Sequence, residues 1–421
     1  MTFDEFAFLF KQQESAIQQL IKLDLEVKKA KDDEKKGKEA QAESIRNELL
    51  KSDPHLYYHV LAVTSKDSAN NLRSTWAKKN MLVDITKPVW NGWKIMNIPV
   101  LNLSILPHHS FAIQFTFELE KPYISRDEQE FYIIDNPVRK DKISGLPYVT
   151  PSSWKGSLRS ALWQLGYKEK SEQIQRIFGN ERAVEEEAEF RKGRLRLYPT
   201  FFNRKSLEII NPHNREKRVG SFPVYFESVP VDTKGVFLLL YIPFDMVGVN
   251  KNETKIQIVS DLNLICEGLR AMFTIYGFGA KTSSGYGIAK PDLTEGRLIL
   301  KAKDIEAGKK EEPKCQPPEE AFEKYLNEDG SVKDKFKGGG EAGLLSNTEY
   351  NERGQQSGGG SLREFKRFRR WYGQYGEKWE KELRSMSSHA EWPTWWFESF
   401  DELLNKTKEI ERALFPKEAT K

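Results

Sequence analysis

Ser110-Phe111-Ala112-Ile113-Gln114-Phe115-Thr116-Phe117-Glu118-Leu119-Glu120 alternates apolar and polar side chains and is rich in β-branched and aromatic residues. Successive side chains of a strand point to opposite faces, so this spacing predicts a strand buried on one side. A loop containing Pro137 and Gly145 follows, and near Ser152 the period changes. Trp154, Leu158, Ala161, Leu162 and Leu165 fall on one face of a helix that Gly166 ends. Further strands are expected over 194–198, 223–229 and 236–243. A second amphipathic helix is expected between Ser260 and Tyr276, through Leu262, Ile265, Leu269, Met272 and Phe273, and a closing strand over 296–301. The order β-α-β-β-α-β is the split βαβ arrangement, and the expected class is α+β.

The chain extends well beyond this unit on both sides. In residues 1–50, Phe6, Phe8, Leu9, Ile17, Leu20, Ile21, Leu23 and Leu25 predict an amphipathic helix, and the charged run Lys28 to Glu39 predicts a solvated helix or flexible segment. Residues 303–360 are poor in apolar side chains and carry Gly338-Gly339-Gly340 and Gly358-Gly359-Gly360, a composition that reads as a linker. The C-terminal stretch is dense in aromatics (Phe365, Phe368, Trp371, Trp379, Trp395, Trp396, Phe400) among Arg363, Lys366, Arg367, Arg369 and Arg370. Four parts are therefore expected: a helical extension over 1–100, a core over 101–302, a linker or insertion over 303–360, and an aromatic, basic, helical module over 361–421.

With 421 residues, 66 Lys and Arg against 62 Asp and Glu, and a net charge of +4, bulk charge neither demands nor excludes a nucleic-acid partner. Cys266 and Cys315 are the only cysteines, which excludes a disulfide framework or thiolate metal site and suits a reducing cytoplasm. The first residues lack the pattern of a secretory signal. The longest apolar run, Val236 to Ile242, is far below the ~20 residues of a membrane span, so no membrane partner is expected.

Two stretches carry candidate chemistry. Gly277-Phe278-Gly279-Ala280-Lys281-Thr282-Ser283-Ser284-Gly285-Tyr286-Gly287 combines glycines, small hydroxyls and a lysine directly after a helix, a composition that lets a sugar-phosphate backbone approach closely. A strand, not a helix, follows it, which sets aside both the Walker loop and the dinucleotide fingerprint. A plain structural turn is the competing reading. The other stretch runs from Asp135-Asn136-Pro137-Val138-Arg139-Lys140-Asp141 into Ser152-Ser153-Trp154-Lys155-Gly156-Ser157-Leu158-Arg159. Free amides at that helix start, beside Ser152, Ser153, Lys155 and Arg159, make an anion site, and Ser152 could equally serve only as the N-cap.

Read together, Asp135-Asn136-Pro137-Val138, Ser152-Ser153-Trp154-Lys155-Gly156-Ser157-Leu158-Arg159 and Gly279-Ala280-Lys281-Thr282-Ser283-Ser284-Gly285-Tyr286-Gly287 resemble the RAMP superfamily, the repeat-associated proteins of CRISPR systems. Ile177-Phe178-Gly179-Asn180 and Phe226-Glu227-Ser228-Val229-Pro230 fit the same pattern. The likeness covers about residues 105 to 300 and is strongest to the backbone subunits of type III effectors. Thr150-Pro151 departs from the family's usual Pro-Gly and removes an amide donor.

The resemblance implies a ferredoxin-like, RRM-like core with β-rich insertions. It implies guide-RNA contacts at Arg139, Lys140, Ser152, Ser153, Lys155, Arg159, Gly277, Gly279, Lys281, Thr282, Gly285 and Gly287. Asp135 matches the aspartate with which active backbone subunits cut target RNA, helped by a weakly held, exchangeable Mg²⁺ or similar cation. The implied partners are guide RNA, target RNA and other effector subunits. The alternatives are a non-catalytic, terminal subunit anchoring the guide, and a metal-free repeat endoribonuclease using His108, His109 or His213.

Overall fold

Four helices precede any sheet: α1 (Glu5–Lys29), α2 (Asp32–Ser52), α3 (Pro54–Thr64) and α4 (Lys66–Lys79). The computed structural model describes residues 5–84, 102–127, 132–180, 192–211, 213–214, 219–220, 224–302, 305, 318–327, 330–354, 358–380 and 392–415. Local caps make the junctions between helices short. Asp53 accepts the amides of His55 and Leu56 at 2.9 and 3.0 Å, and Pro54 takes the first helical position, where a missing N–H costs nothing. Ile17, Leu20, Leu49, Tyr57, Leu61 and Leu72 close a small core between the four helices. The charged run is the end of α1 and the start of α2, a solvated helical surface rather than a flexible tail.

After β1 (Leu82–Asp84), the predicted strand appears as β2 (Phe111–Glu118). β3 (Tyr148–Val149) leads into α5 (Pro151–Gln164) and α6 (Glu172–Phe178), followed by β4 (Leu195–Leu197), β5 (Thr200–Phe201) and β6 (Arg204–Ile210). A small hairpin, β7 (His213–Asn214) and β8 (Val219–Gly220), precedes β9 (Val224–Ser228), β10 (Lys234–Tyr241), α7 (Lys251–Ala271) and β11 (Asp292–Leu300). With β12 (Thr394–Ser399), the central sheet has five strands in the order β12-β11-β2-β10-β4, every neighbouring pair antiparallel. β2, α5, β4, β10, α7 and β11 supply the expected ferredoxin-like unit.

The alternation in β2 decides which face is covered. Phe111, Ile113, Phe115 and Phe117 all join the main core with α5 and α7. Phe115 stacks on Phe237 at 5.0 Å, and Trp154 of α5 lies 5.1 Å from Phe237 while its indole N–H donates to Thr200 at 3.1 Å. Asp261, fully buried on α7, accepts from the Arg176 guanidinium and from the Tyr241 hydroxyl at 2.6 Å, tying α6 and β10 to that helix. A buried carboxylate is tolerable only when paired in this way.

The boundaries differ from expectation for local reasons. α7 begins at Lys251, not near 260, because Asn250 caps it by accepting the Asn252 amide at 2.9 Å, and the polar first turns hide its period. The closing strand starts at Asp292 and carries a bulge before Gly296, with Glu295 in the left-handed region. The strand expected over 223–229 is β9, which leaves the core to form a separate sheet with β6 and β1; Pro223 itself is outside the described residues.

The larger correction concerns the C-terminal third. Residues 318–327 and 330–354, read from composition as linker, bring Phe322, Tyr325, Phe336, Leu345 and Tyr350 into one buried cluster with Phe365, Phe368 and Trp371 of the helix Leu362–Trp371. Tyr350 stacks on Phe365 at 3.9 Å. A few aromatics per turn supply enough buried area for a small core, which average composition conceals. Trp395, Phe397 and Phe400 belong elsewhere: β12 extends the central sheet beside β11, and the helix Phe400–Leu414 packs against α7. Phe400 lies 5.4 Å from Phe115 and 5.3 Å from Phe273. Phe400→Ala is therefore expected to cost ~3–5 kcal/mol of stability, read as a lower urea midpoint.

Candidate RNA interface

The segment Pro122–Ser125, which sequence reasoning passed over, stitches the candidate motifs together. The Pro122 carbonyl accepts the Gly287 amide at 2.8 Å and the Ile124 carbonyl accepts the Ala280 amide at 2.7 Å, fixing the glycine-rich loop from both ends. Ser125 accepts the Arg139 amide at 2.9 Å, and the Arg139 carbonyl accepts the Tyr148 amide at 3.1 Å just ahead of α5. Three of these contacts are backbone bonds and the fourth uses the Ser125 hydroxyl, and all join separate segments, so no motif announces them.

Within the loop the glycines divide by role. Gly277, Gly279, Gly285 and Gly287 all have positive φ. A Cβ on Gly287 would lie 2.0 Å from the Phe278 carbonyl oxygen, and one on Gly279 2.5 Å from the Tyr123 ring, whereas Gly285 faces open space. Most of these glycines thus let the loop close on itself and on Tyr123, the plain structural reading, instead of admitting a ligand. The outward part is Lys281 to Ser284: Lys281 is exposed in the left-handed region, and the amides of Lys281, Thr282 and Ser283 have no acceptor among the described residues. A cleft of about 170 Å³ separates this loop from α5, lined by Gly156, Ser157, Ser160, Gly277, Gly279 and Thr282.

At the start of α5, Thr150 and not Ser152 is the N-cap, accepting the Ser153 amide at 3.1 Å, with Pro151 at the first helical position. The Ser152 and Ser153 hydroxyls lie 2.9 and 2.8 Å from the Thr150 hydroxyl, so both are part of the cap. The proline that departs from the family pattern is the residue best suited to that position. Lys155 and Arg159 follow one turn apart, and Arg159 stacks over Trp163 at 5.3 Å. Arg196 of β4, which no motif marks, completes the group. Burial, then the neighbouring Arg196 and Arg159, hold the Lys155 ammonium below the usual lysine range. No carboxylate pairs with Lys155, Arg159 or Arg196 among the described residues.

Lys140 is a correction. Its ammonium bonds Glu227, whose side chain is 2% exposed, and lies 4.2 Å over the Tyr132 ring, so it faces the interior and is not available to RNA. The expectation failed because a cation inside a basic run gives no sign of a buried partner some ninety positions away. Burial alone would push Glu227 up, but Lys205 and Lys140 hold its carboxyl below the usual range.

Asp135 lies on the surface, its side chain 79% exposed and 3.9 Å from the Arg73 guanidinium of α4. Asn136 beside it bridges to Phe226, and the Lys281 ammonium sits 4.9 Å over that ring, so Asp135 and the glycine-rich loop flank one residue. Among the described residues no three His, Cys, Asp or Glu side chains gather into a metal site. A cation at Asp135 would thus have at most two such side chains as ligands among the described residues and keep most of its water. His108 is exposed, but His109 is buried in the left-handed region with its amide bonded to the Lys301 carbonyl at 2.8 Å, so these two do not form an open pair. The side chain of His213 is outside the described residues.

The sequence model of the RAMP superfamily matches residues 83–290. The chain is similar to the CRISPR system Cms endoribonuclease Csm3 of Streptococcus thermophilus, 26% identical over 171 residues, which are 37% of this chain and 73% of that protein. Among solved structures, it is similar to a chain in the cryo-EM structure of the Type III-B Cmr-beta bound to cognate target RNA, with 19% identity, a TM-score of 0.39, and 62% of this chain and 92% of that one covered. A chain of the Csm3-Csm4 subcomplex in the type III-A CRISPR-Cas interference complex gives 18% identity and a TM-score of 0.28 over 47% of this chain and 81% of that one. No helix among the described residues is long and apolar enough to cross a membrane.

Two outcomes follow from this geometry. Gly287→Ala meets both an unfavourable φ and a backbone clash, whereas Gly285→Ala meets only the φ; Gly285→Ala should cost about 1–2 kcal/mol and Gly287→Ala clearly more, compared by thermal unfolding. His55 stacks on Tyr132 at 4.2 Å, and its Nδ1 accepts the Ile133 amide at 3.1 Å. Burial, opposed by Asp53 and Glu227 and assisted by Lys140 and Lys205, holds its pKa below the ordinary 6.5. The unfolded chain then takes up the proton more readily, so this packing is at full strength above about pH 6.5 and weakens as pH falls through that value toward the folded one. His55→Asn should flatten that part of a melting-temperature profile between pH 7.5 and 5.5.

Proposed function

From the membership of residues 83–290 in the RAMP superfamily, we propose that the protein is a backbone subunit of a type III CRISPR ribonucleoprotein that grips guide RNA and cuts the paired target RNA at Asp135. The carrying observation is the Lys155, Arg159 and Arg196 cluster. Crowded cations with no described carboxylate partner repel one another, and a phosphate placed among them removes that repulsion. The free amides of Lys281, Thr282 and Ser283 across the cleft add neutral donors for a second stretch of backbone. Such a site reads charge and shape, not bases, as a guide-holding subunit requires when pairing carries the sequence information.

Asp135 is the cutting residue in this reading. In the reaction the ribose 2′-oxygen attacks the adjacent phosphorus, the bond to the 5′-oxygen breaks, and the 2′-hydroxyl proton leaves while the departing oxygen gains one. Asp135 would orient the hydroxyl or accept its proton. A divalent cation held by Asp135, with RNA oxygens and water as its other ligands, would neutralise charge on the phosphate. The exposed, solitary carboxylate also favours one second reading: the same guide-holding subunit without cutting.

Lys155→Ala with Arg196→Ala should weaken guide-RNA binding and reduce the slope of log affinity against log salt by about 1.4, two phosphate contacts at roughly 0.7 each for single strands. An unchanged slope, measured by anisotropy across a salt series, removes the groove from this surface. In the assembled complex, Asp135→Ala should abolish target cutting and leave guide binding intact. Wild-type cutting by that variant leaves the non-catalytic reading.

A further inference from the structure

The four residues Tyr132 to Asp135 are held from outside the core by the N-terminal helices. His55 of α3 accepts the Ile133 amide on Nδ1 at 3.1 Å, which places its own proton on Nε2. His59, one turn along the same helix, has Nε2 3.2 Å from the Tyr132 carbonyl oxygen, a contact that requires an N–H there. Both rings are thus set as donors through Nε2 by the backbone they meet. Trp76 of α4 meets the Tyr132 ring edge-on at 6.3 Å, and Ile133 and Ile134 are buried with Trp76. Arg73 then reaches Asp135 itself. Its guanidinium is not loose: it donates to the Tyr58 hydroxyl at 3.1 Å and to Asn70 at 3.0 Å.

We propose that the N-terminal helical unit is a clamp that positions Asp135, with His55 and His59 fixing the backbone and Arg73 orienting the carboxylate. This rests on the reading of Asp135 as the cutting residue. A largely exposed aspartate on a loop samples several rotamers, whereas reaction at phosphorus needs a carboxylate held within about 0.5 Å of its working position. The clamp supplies that restraint without consuming the group: at 3.9 Å the Arg73 contact is too long for a hydrogen bond, so Asp135 keeps its lone pairs for substrate. These helices precede the RAMP match, so the restraint is added to the matched region from outside it.

The test uses the full chain in its assembled complex, with two readouts. In single-turnover cutting at saturating RNA, His55→Ala and Arg73→Ala should be slower by roughly tenfold to a hundredfold, with guide affinity changed less than about twofold. His55→Asn, whose Oδ1 can replace Nδ1 as acceptor, should recover most of the rate. Independently of cutting, hydrogen exchange over 132–135 should rise in His55→Ala and His59→Ala and stay low in His55→Asn. Wild-type cutting by Arg73→Ala and His55→Ala, when Asp135→Ala is inactive, overturns the proposal, even if exchange rises. If Asp135→Ala itself cuts normally, the functional reading fails and exchange alone judges the clamp: unchanged exchange overturns it, and raised exchange leaves a clamp on a segment with another task. Should His55→Ala fail to fold, Arg73→Ala, at a half-buried position, carries the rate test.

Discussion

β2 is hydrogen-bonded along both edges, to β10 in one direction and β11 in the other, and its face carries Phe111, Ile113, Phe115 and Phe117. A central strand so paired cannot shift register by one residue without turning four large apolar side chains to the opposite face. α5 and α7 must therefore lie across that face, and Trp154 and Phe273 meet the β2 aromatics there. The positions of the start of α5 and of the loop after α7 follow from this one constraint.

What lies at the end of the sheet is a consequence of where those helices stop. The loop leaving α7 folds back over Tyr123, α5 begins beside it, and the strand bearing Arg196 brings its cation to Lys155. The groove is thus assembled from parts whose individual sequences speak mostly of caps and turns. Electrostatics separates them: Lys140 is paired with Glu227, whereas the Lys155 ammonium is disfavoured by burial and then by Arg196 and Arg159. A cation paired inside the fold differs from one with no carboxylate facing it in its surroundings, not in its residue type.

The C-terminal third shows the same division between local and distant information. Aromatics in 361–421 form one group by composition but two by packing, because Phe365 and Phe368 find Tyr325 and Tyr350 while Phe397 and Phe400 find Phe115 and Phe273. A stretch rich in Gly, Lys and Glu joined the first group because Phe322, Phe336 and Leu345 sufficed for a core. Average polarity measures the surface of such a small unit, and its interior is only a few side chains.

By itself the sequence marked the elements of the central unit, β2, α5, β4, β10, α7 and β11, since periods of two and of 3.6 residues reflect one-sided burial directly. It also marked the α5 start, the glycine-rich loop and Asp135, whose residue types follow from local backbone needs and chemistry. Only the tertiary structure decided that Thr150 is the cap, that Lys140 is buried, that Arg196 joins Lys155, and that His55, His59 and Arg73 meet the Asp135 segment. Each of those facts depends on a partner far along the chain, and a pairwise contact between distant residues leaves no periodic trace in either one.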